Sequence, residues 1–136
     1  MKFEHFALNV EQPIAMADWY EKHLGLKVVR RMEKAPFTTF LADDSGTILL
    51  EIYHNPNAPV VDFRNLHPHV VHMAFVSADP YQDMEGLLEA GAETALDEHF
   101  QDGSHLLMLR DPWGLSFQLC KRAQPMLKDQ QEEVGQ

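Results

Sequence analysis

The chain has 136 residues, which is enough for one domain with a single core or two small connected cores. Its apolar content of 45% and its two tryptophans exclude a disordered chain. Eleven basic residues against 21 acidic residues give a formal charge of −10, which argues against nucleic acid and acidic membranes as partners.

The remaining compositional signals concern the cellular compartment. We find neither a basic leader followed by an apolar stretch nor an apolar run approaching ~20 residues, so we expect a soluble protein without a secretion signal. The single cysteine, Cys120, excludes an intramolecular disulfide framework. These observations together predict a cytoplasmic protein.

The first half of the chain predicts the element order β-α-β-β-β. Its helix begins at Pro13, a residue suited to a first helical turn, and is expected to end at Gly25. A turn at 43–46 separates the last two strands. The predicted strands are Phe3–Val10, Leu26–Met32, Phe37–Ala42 and Thr47–His54.

A proline-rich stretch, Asn55–Pro68, is interpreted as a linker, and the second half repeats the same order. Asp79 followed by Pro80 predicts a capped helix start, and Gly91 its end. We therefore predict one domain, 1–136, with a first module at 3–54, a second at 70–122 and an acidic tail at 123–136. The strands of the second module are expected at about Val70–Val76, Glu93–Glu98, Ser104–Arg110 and Leu115–Lys121.

Four polar residues in these strands recur at constant spacing. His5 and His72 are 67 positions apart (72 − 5), and so are Glu51 and Gln118 (118 − 51). Two strands with polar residues at matching places, repeated along the chain, indicate an internal duplication.

Strand periodicity predicts where these four residues point, because side chains alternate between the two faces of a sheet. One parity of the four strands is wholly apolar and is expected to pack on the helices: Phe6, Leu8, Val10, Ile48, Leu50, Ile52, Val71, Met73, Phe75, Leu115, Phe117 and Leu119. The other parity carries His5, Glu51, His72 and Gln118.

Two imidazoles, a carboxylate and an amide oxygen are a ligand set for a divalent metal ion. Each residue alone is ordinary on a half-buried strand, but the shared face and spacing favour a metal site at His5, Glu51, His72 and Gln118. A buried Glu51 without a metal would otherwise be an unpaired charge. The other histidines do not repeat between the halves, and we expect each on the surface: His23, His54, His67, His69, His99 and His105.

The segments "WYEKHLGLKV" (19–28) and "DPWGLSFQL" (111–119), with two β-α-β-β-β halves that each carry a strand-one histidine, resemble the vicinal oxygen chelate superfamily. That superfamily includes glyoxalase I, bleomycin-resistance proteins and extradiol dioxygenases. The resemblance implies an α+β fold whose two βαβββ modules form U-shaped mixed sheets around a cavity. It also implies a homodimer and a divalent metal ion (Zn, Ni, Co, Mn or Fe) chelated by neighbouring oxygens of a small-molecule substrate.

By this resemblance the four ligand places fall on His5, Glu51, His72 and Gln118. Glyoxalase I of bacteria has a second carboxylate where this chain has Gln118, which leaves Glu51 as the expected catalytic base. The resemblance thus implies a metal-dependent lyase or isomerase that works through an enediolate. The alternatives are a non-catalytic drug-binding protein of the bleomycin-resistance type, and a ring-cleaving dioxygenase with Fe(II).

Overall fold

The computed structural model describes residues 1–127, and for Ile48 and Leu49 it describes the backbone alone. The predicted acidic tail therefore lies outside the described residues from position 128 onward. The chain divides into two compact units, Met1–Asp62 and a second unit that begins at Phe63. The division falls inside the stretch that the sequence marks as a linker.

The first unit contains β1 (Phe6–Asn9), α1 (Pro13–Leu24), β2 (Lys27–Arg31), β3 (Thr39–Ala42) and β4 (Ile48–Tyr53). Its sheet has the strand order β1-β4-β3-β2. The β1–β4 pair is parallel, whereas β3 pairs antiparallel with both β4 and β2.

The second unit opens with a short 3₁₀ helix, Phe63–Asn65, and then repeats the arrangement. Its sheet order is β5-β8-β7-β6, with the β5–β8 pair parallel. The predicted α+β class with two mixed sheets is confirmed. The elements are β5 (His72–Val76), α2 (Pro80–Glu89), β6 (Glu93–His99), β7 (His105–Arg110) and β8 (Ser116–Lys121).

The predicted repeat extends to the strand register. Ala7 lies opposite Glu51 in the first sheet, and Ala74 lies opposite Gln118 in the second. Ala7 and Ala74 are themselves 67 positions apart (74 − 7). The two sheets therefore align residue by residue along their parallel strand pairs.

Local chemistry at the helix ends follows the sequence. Gly25 ends α1 in the left-handed region (φ 71°), where a residue without a side chain beyond Cα has little strain, and its amide donates to the Tyr20 carbonyl. The Asp79 carboxylate accepts a hydrogen bond from the Gln82 amide at 3.2 Å and so caps α2. α2 ends at Glu89, slightly before the expected Gly91.

Seven of the eight strands begin one to three residues later than predicted, and β5 begins at His72 rather than Val70. The first strand begins at Phe6 rather than Phe3, so His5 precedes β1. The third begins at Thr39 rather than Phe37, because Phe37 has φ 60° and a left-handed residue cannot continue an extended strand.

The apolar parity supplies much of the core. Phe6 is an exception, with 45% of its surface exposed, and Met73 and Phe75 are half-buried. α1 packs against β2, β3 and β4, and α2 packs against β7 and β8. The buried residues of this parity are Leu8, Val10, Leu50, Ile52, Leu115, Phe117 and Leu119.

Arg110 forms hydrogen bonds that link the start of the second unit to the turn between β7 and β8. Its guanidinium donates to the Phe63 carbonyl at 2.9 Å, to the Leu66 carbonyl at 2.6 Å and to the Gly114 carbonyl at 3.0 Å. Because three carbonyls share one always-charged donor, the segment before β5 is held on the sheet of its own unit. Across the described helices, none is long and apolar enough to cross a membrane.

Candidate functional site

In the first unit, the structure brings His5 and Glu51 together. Ala7 is paired with Glu51, and His5 lies two residues before Ala7. The His5 Nε2 atom is 2.8 Å from the Glu51 Oε2 atom. The His5 side chain is 34% exposed and that of Glu51 is 18% exposed, so the pair is half-buried but open to solvent.

The other ring nitrogen of His5 also meets a carboxylate. Its Nδ1 lies 2.9 Å from Glu4 Oε1, and the ring packs edge-on against Phe40 at 5.9 Å between centroids. A metal-binding histidine commonly has its second ring nitrogen held by such an outer carboxylate. Glu4 therefore sets the His5 ring so that Nε2 faces Glu51.

This pairing changes one sequence argument. Glu51 was expected to be an unpaired buried charge unless a metal were present. The structure gives Glu51 the His5 imidazole as a partner, so its partial burial alone does not require an ion. The contact is compatible with a cation, since both groups present ligand atoms at one place.

The second unit arranges His72 and Gln118 at the matching positions. His72 is the first residue of β5 and is exposed, while Gln118 on β8 has 7% of its surface exposed. Among the described residues, no hydrogen-bond partner is found for the Gln118 side chain. The one buried side-chain polar atom without a partner in the described part of the chain is Arg31 Nε, so the Gln118 amide still reaches solvent and its oxygen is free to accept or to bind a ligand. The donor set of the four predicted residues thus fits a divalent ion in its chemistry.

Two further histidines, His67 and His69, lie close to His72. The rings of His67 and His69 are 5.2 Å apart, and those of His69 and His72 are 6.4 Å apart. All three side chains belong to exposed residues, as expected for His67 and His69. They form a row of imidazoles along the approach to β5.

A groove of about 530 Å³ lies beyond Glu51 in the first unit, at the end of β4. Tyr53 has the same strand parity as Glu51 and contributes to its wall. His54, expected on the surface, is half-buried, and its Nδ1 lies 2.8 Å from the Val10 carbonyl oxygen. The lining residues are Ala35, Pro36, Tyr53, His54, Asn55 and Pro56.

The structure also shows a cluster that the sequence analysis missed, formed by Asp97, His99, His105 and Tyr81. His105 was expected on the surface and is instead buried, at 6% exposure. That prediction was wrong because offsets between halves were the criterion, whereas the relevant signal was local. A short turn joins the strands on which His99 and His105 lie, and antiparallel pairing places them opposite each other.

Asp97 is the centre of this cluster. His105 Nε2 lies 2.7 Å from Asp97 Oδ1, and the Tyr81 hydroxyl donates to Asp97 Oδ2 at 2.5 Å. Desolvation acts to raise the pKa of Asp97, but hydrogen bonds from Tyr81 and His105 and the nearby imidazoles hold that pKa below its ordinary value. The hydrogen bond to Asp97 in turn raises the pKa of Tyr81, so its hydroxyl stays protonated.

Comparison with solved structures shows similar folds. The chain is similar to a glyoxalase-related enzyme from Fulvimarina pelagi, with 19% identity, a TM-score of 0.68, and coverage of 95% of this chain and 94% of that one. A lactoylglutathione lyase from Agrobacterium tumefaciens has 18% identity and a TM-score of 0.65, with 90% and 94% covered. TnmS3, an antibiotic binding protein from Streptomyces sp. CB03234, has 16% identity and a TM-score of 0.65, with 89% and 95% covered.

At these identities the likeness concerns the fold alone, and the names of the three proteins include both a lyase and a binding protein. No curated protein matches the chain. A family model does match, over residues 2–119, which includes both sheets and both helices except the last residues of β8. The chain belongs to the Glyoxalase/Bleomycin resistance protein/Dioxygenase superfamily.

Proposed function

We propose that this protein is a metal-dependent lyase or isomerase that acts on a small substrate with adjacent oxygen atoms. The observation that carries the proposal is the 2.8 Å contact between His5 and Glu51, at chain positions that His72 and Gln118 repeat 67 residues later (72 − 5 and 118 − 51). A drug-binding protein without catalysis has no need for a half-buried carboxylate paired with an imidazole.

The proposed ligands of the ion are His5, Glu51, His72 and Gln118, supplied by the halves of one chain or of two paired chains. Zn, Ni, Co, Mn and Fe all accept this mixture of nitrogen and oxygen donors. When bound, such an ion polarises a substrate carbonyl and thereby acidifies the adjacent C–H bond.

Glu51 is the proposed general base. Its carboxylate accepts the proton from the C–H group next to the carbonyl and returns it to the neighbouring carbon, which takes the substrate through an enediolate. With an ion bound, His5 Nε2 and the Glu51 carboxylate would both be directed at it, while Glu4 holds the His5 ring through Nδ1. Gln118 is neutral, so the site carries about one charge more positive than a set with two carboxylates, which favours an anionic oxygen on the substrate.

We also propose a homodimer. β5 is an edge strand of its sheet; Val76, its last residue, is 93% exposed, and Val70, two residues before its start, is 64% exposed. Exposed apolar residues at a sheet edge are typical of a surface that another chain covers. Val76→Lys should therefore shift sedimentation at micromolar concentration toward monomer, whereas Leu88→Lys on α2 should not. A wild-type protein that is already monomeric would contradict the dimer.

The catalytic proposal is tested first by metal content. Protein purified without chelators should contain a divalent ion at the proposed catalytic site, and His72→Ala should contain about one equivalent less metal than the wild type. His67→Ala removes an exposed histidine from the same row and is the matched control. Equal metal content in both variants would contradict the proposed ligand set.

Substrate class is tested by proton exchange. The metal-loaded protein is incubated in D₂O with a panel of α-hydroxycarbonyl compounds, hemithioacetals and acyl thioesters, and loss of the C–H signal is followed by proton NMR. Exchange that requires both the ion and Glu51 supports a lyase or isomerase. Tight binding of panel members without exchange would favour the binding-protein alternative.

A further inference from the structure

The second unit carries a group of ligand atoms away from the four residues proposed above. Asp97, His99 and His105 lie on one face of the hairpin formed by β6 and β7, where His99 pairs with His105. His105 pairs with Lys121 on β8, whereas Gln118 pairs with Met108. Since strand parity alternates, His105 and Gln118 lie on opposite faces of the same sheet.

In this cluster the ligand atoms converge. One atom from each of Asp97, His99 and His105 lies within 4.8 Å of the other two. Both imidazole Nε2 atoms approach the same carboxylate oxygen, Asp97 Oδ1, at 2.7 Å for His105 and 3.4 Å for His99. Convergence of two ring nitrogens and a carboxylate on one point is the arrangement that a transition-metal site needs.

We propose that Asp97, His99 and His105 bind a divalent transition-metal ion such as Zn²⁺, independently of the site proposed for catalysis. Nitrogen and oxygen ligands about 2.0–2.1 Å from a tetrahedral zinc ion are about 3.3 Å from each other. The His99–Asp97 separation of 3.4 Å is close to this spacing, and the ion would replace the 2.9 Å contact between His99 Nε2 and the Tyr81 hydroxyl. The His105–Asp97 hydrogen bond of 2.7 Å opens slightly when the ion replaces the shared proton.

The cluster combines one fixed ligand with one that can turn. The His105 side chain is 8% exposed and packs against the Tyr81 ring at 4.6 Å between centroids, so its position is set by the fold. The His99 side chain is 57% exposed and stacks on His105 at 4.0 Å and 17°. Stacked rings direct their lone pairs nearly parallel, so His99 turns about its side-chain torsions to meet the ion, which its exposure allows.

Charge and outer contacts also favour a cation here. The Asp97 carboxylate brings a negative charge to the point where the Nε2 atoms of both rings converge. The Tyr81 hydroxyl donates to the second oxygen of Asp97, and this leaves the first oxygen directed at the two rings. Such a contact orients a metal-binding carboxylate. The bound ion fastens the β6–β7 hairpin to α2, which carries Tyr81.

The test uses the full chain, stripped with EDTA, in a His72→Ala background that disables the site proposed for catalysis. Titration with ZnCl₂ by calorimetry should show about one equivalent bound. Adding His99→Gln should weaken that binding at least about 100-fold, since even outer-shell changes cost 10–100-fold. His99 is exposed, so this variant is expected to fold.

Two controls separate the proposal from general histidine affinity. His23→Gln, on α1 in the first unit, should leave the zinc affinity unchanged in the same background, while Tyr81→Phe should weaken it less than His99→Gln. In ¹⁵N-edited NMR of the His72→Ala protein, zinc should shift the Nε2 signals of His99 and His105. The proposal is overturned if His72→Ala protein binds no zinc, if His99→Gln binds as tightly as His23→Gln, or if those two signals stay in place.

Discussion

In the first half of the chain Glu51 lies against His5, whereas in the second half the equivalent Gln118 is more deeply buried and has no hydrogen-bond partner among the described residues. The backbones pair in the same register at both places. A carboxylate is therefore found where an imidazole compensates it, and a neutral amide where a charge would be desolvated alone. The duplicated strands therefore have the same pairing register, but the side chain at the matched position is charged in the first half and neutral in the second.

The turns before the last strand of each half also differ in burial, and again the second half has the more deeply buried residue. Asp43 in the first half accepts from the Ser45 amide at 3.1 Å in an exposed turn. Asp111 in the second is 1% exposed and accepts from the amides of Trp113 and Leu115 at 2.9 and 3.0 Å. Similar turn chemistry is thus on the surface in one half and in the interior in the other.

The largest effect is expected at the carboxylate that distinguishes the halves. Glu51→Gln removes the proposed base but keeps the side chain's size, so proton exchange in D₂O should fall about 10²–10⁴-fold while the fold persists. Circular dichroism and metal content provide the folding and binding controls. Exchange equal to wild type would remove Glu51 as the base.

The two turn glycines give the next comparison. Gly46 and Gly114 both have positive φ (80° and 92°), but a Cβ at Gly114 would lie 2.8 Å from the Arg64 backbone, whereas nothing lies within 4 Å at Gly46. Gly114→Ala combines left-handed strain with a backbone clash and should lower the free energy of unfolding by about 2–5 kcal/mol.

Gly46→Ala is the matched control, with strain alone, and should cost about 1–2 kcal/mol. Urea unfolding measures both. Equal losses in the two variants would mean that the Arg64 contact does not constrain the turn.

The third prediction gives the second half the carboxylate that the first half has at Glu51. Gln118→Glu places a carboxylate at a position that is 7% exposed and has no ion-pair partner among the described residues, and we expect a loss of about 1–3 kcal/mol in the free energy of unfolding of metal-free protein at neutral pH. Burial raises the pKa of the introduced group above its unfolded value, so the variant is close to wild-type stability at low pH and loses stability as pH rises through that raised pKa.

Thermal unfolding between pH 4 and 8, with and without Zn²⁺, checks this expectation. A bound ion should restore part of the loss, because metal stabilises the state that binds it. A pH-independent loss would instead indicate a steric effect.

The smallest effect concerns the helix starts. α2 has the Asp79 side-chain cap, whereas at the start of α1 the Gln12 side chain makes no capping hydrogen bond. Asp79→Ala should cost about 1 kcal/mol and Gln12→Asp should gain up to about that amount, since Asp is a better N-cap than Gln. Urea midpoints for the two variants that move in the same direction would contradict this assignment.

Most of the fold could be predicted from periodicity and end signals, because prolines at 13 and 80, the cap at Asp79 and the stop at Gly25 act within a few residues. The spacing of Glu51 and Gln118 agrees with their matching places on β4 and β8, whereas His5 precedes β1 and His72 is the first residue of β5. Periodicity could not predict that Glu51 is compensated by His5, since this depends on side-chain directions. Nor could repeats between halves reveal the Asp97 cluster, which occurs in one half and depends on the hairpin register.

The three carbonyls that accept hydrogen bonds from Arg110 determine where a fragment of the second half must begin if it is to fold on its own. The first half has Asp43 at the equivalent position, so this clamp is not part of the repeat. A fragment that begins near residue 70, where the repeat begins, would lose the Phe63 and Leu66 acceptors and the Arg64 backbone beneath Gly114. An autonomously folding second half should therefore start at Phe63, which makes the unit of folding longer than the unit of duplication.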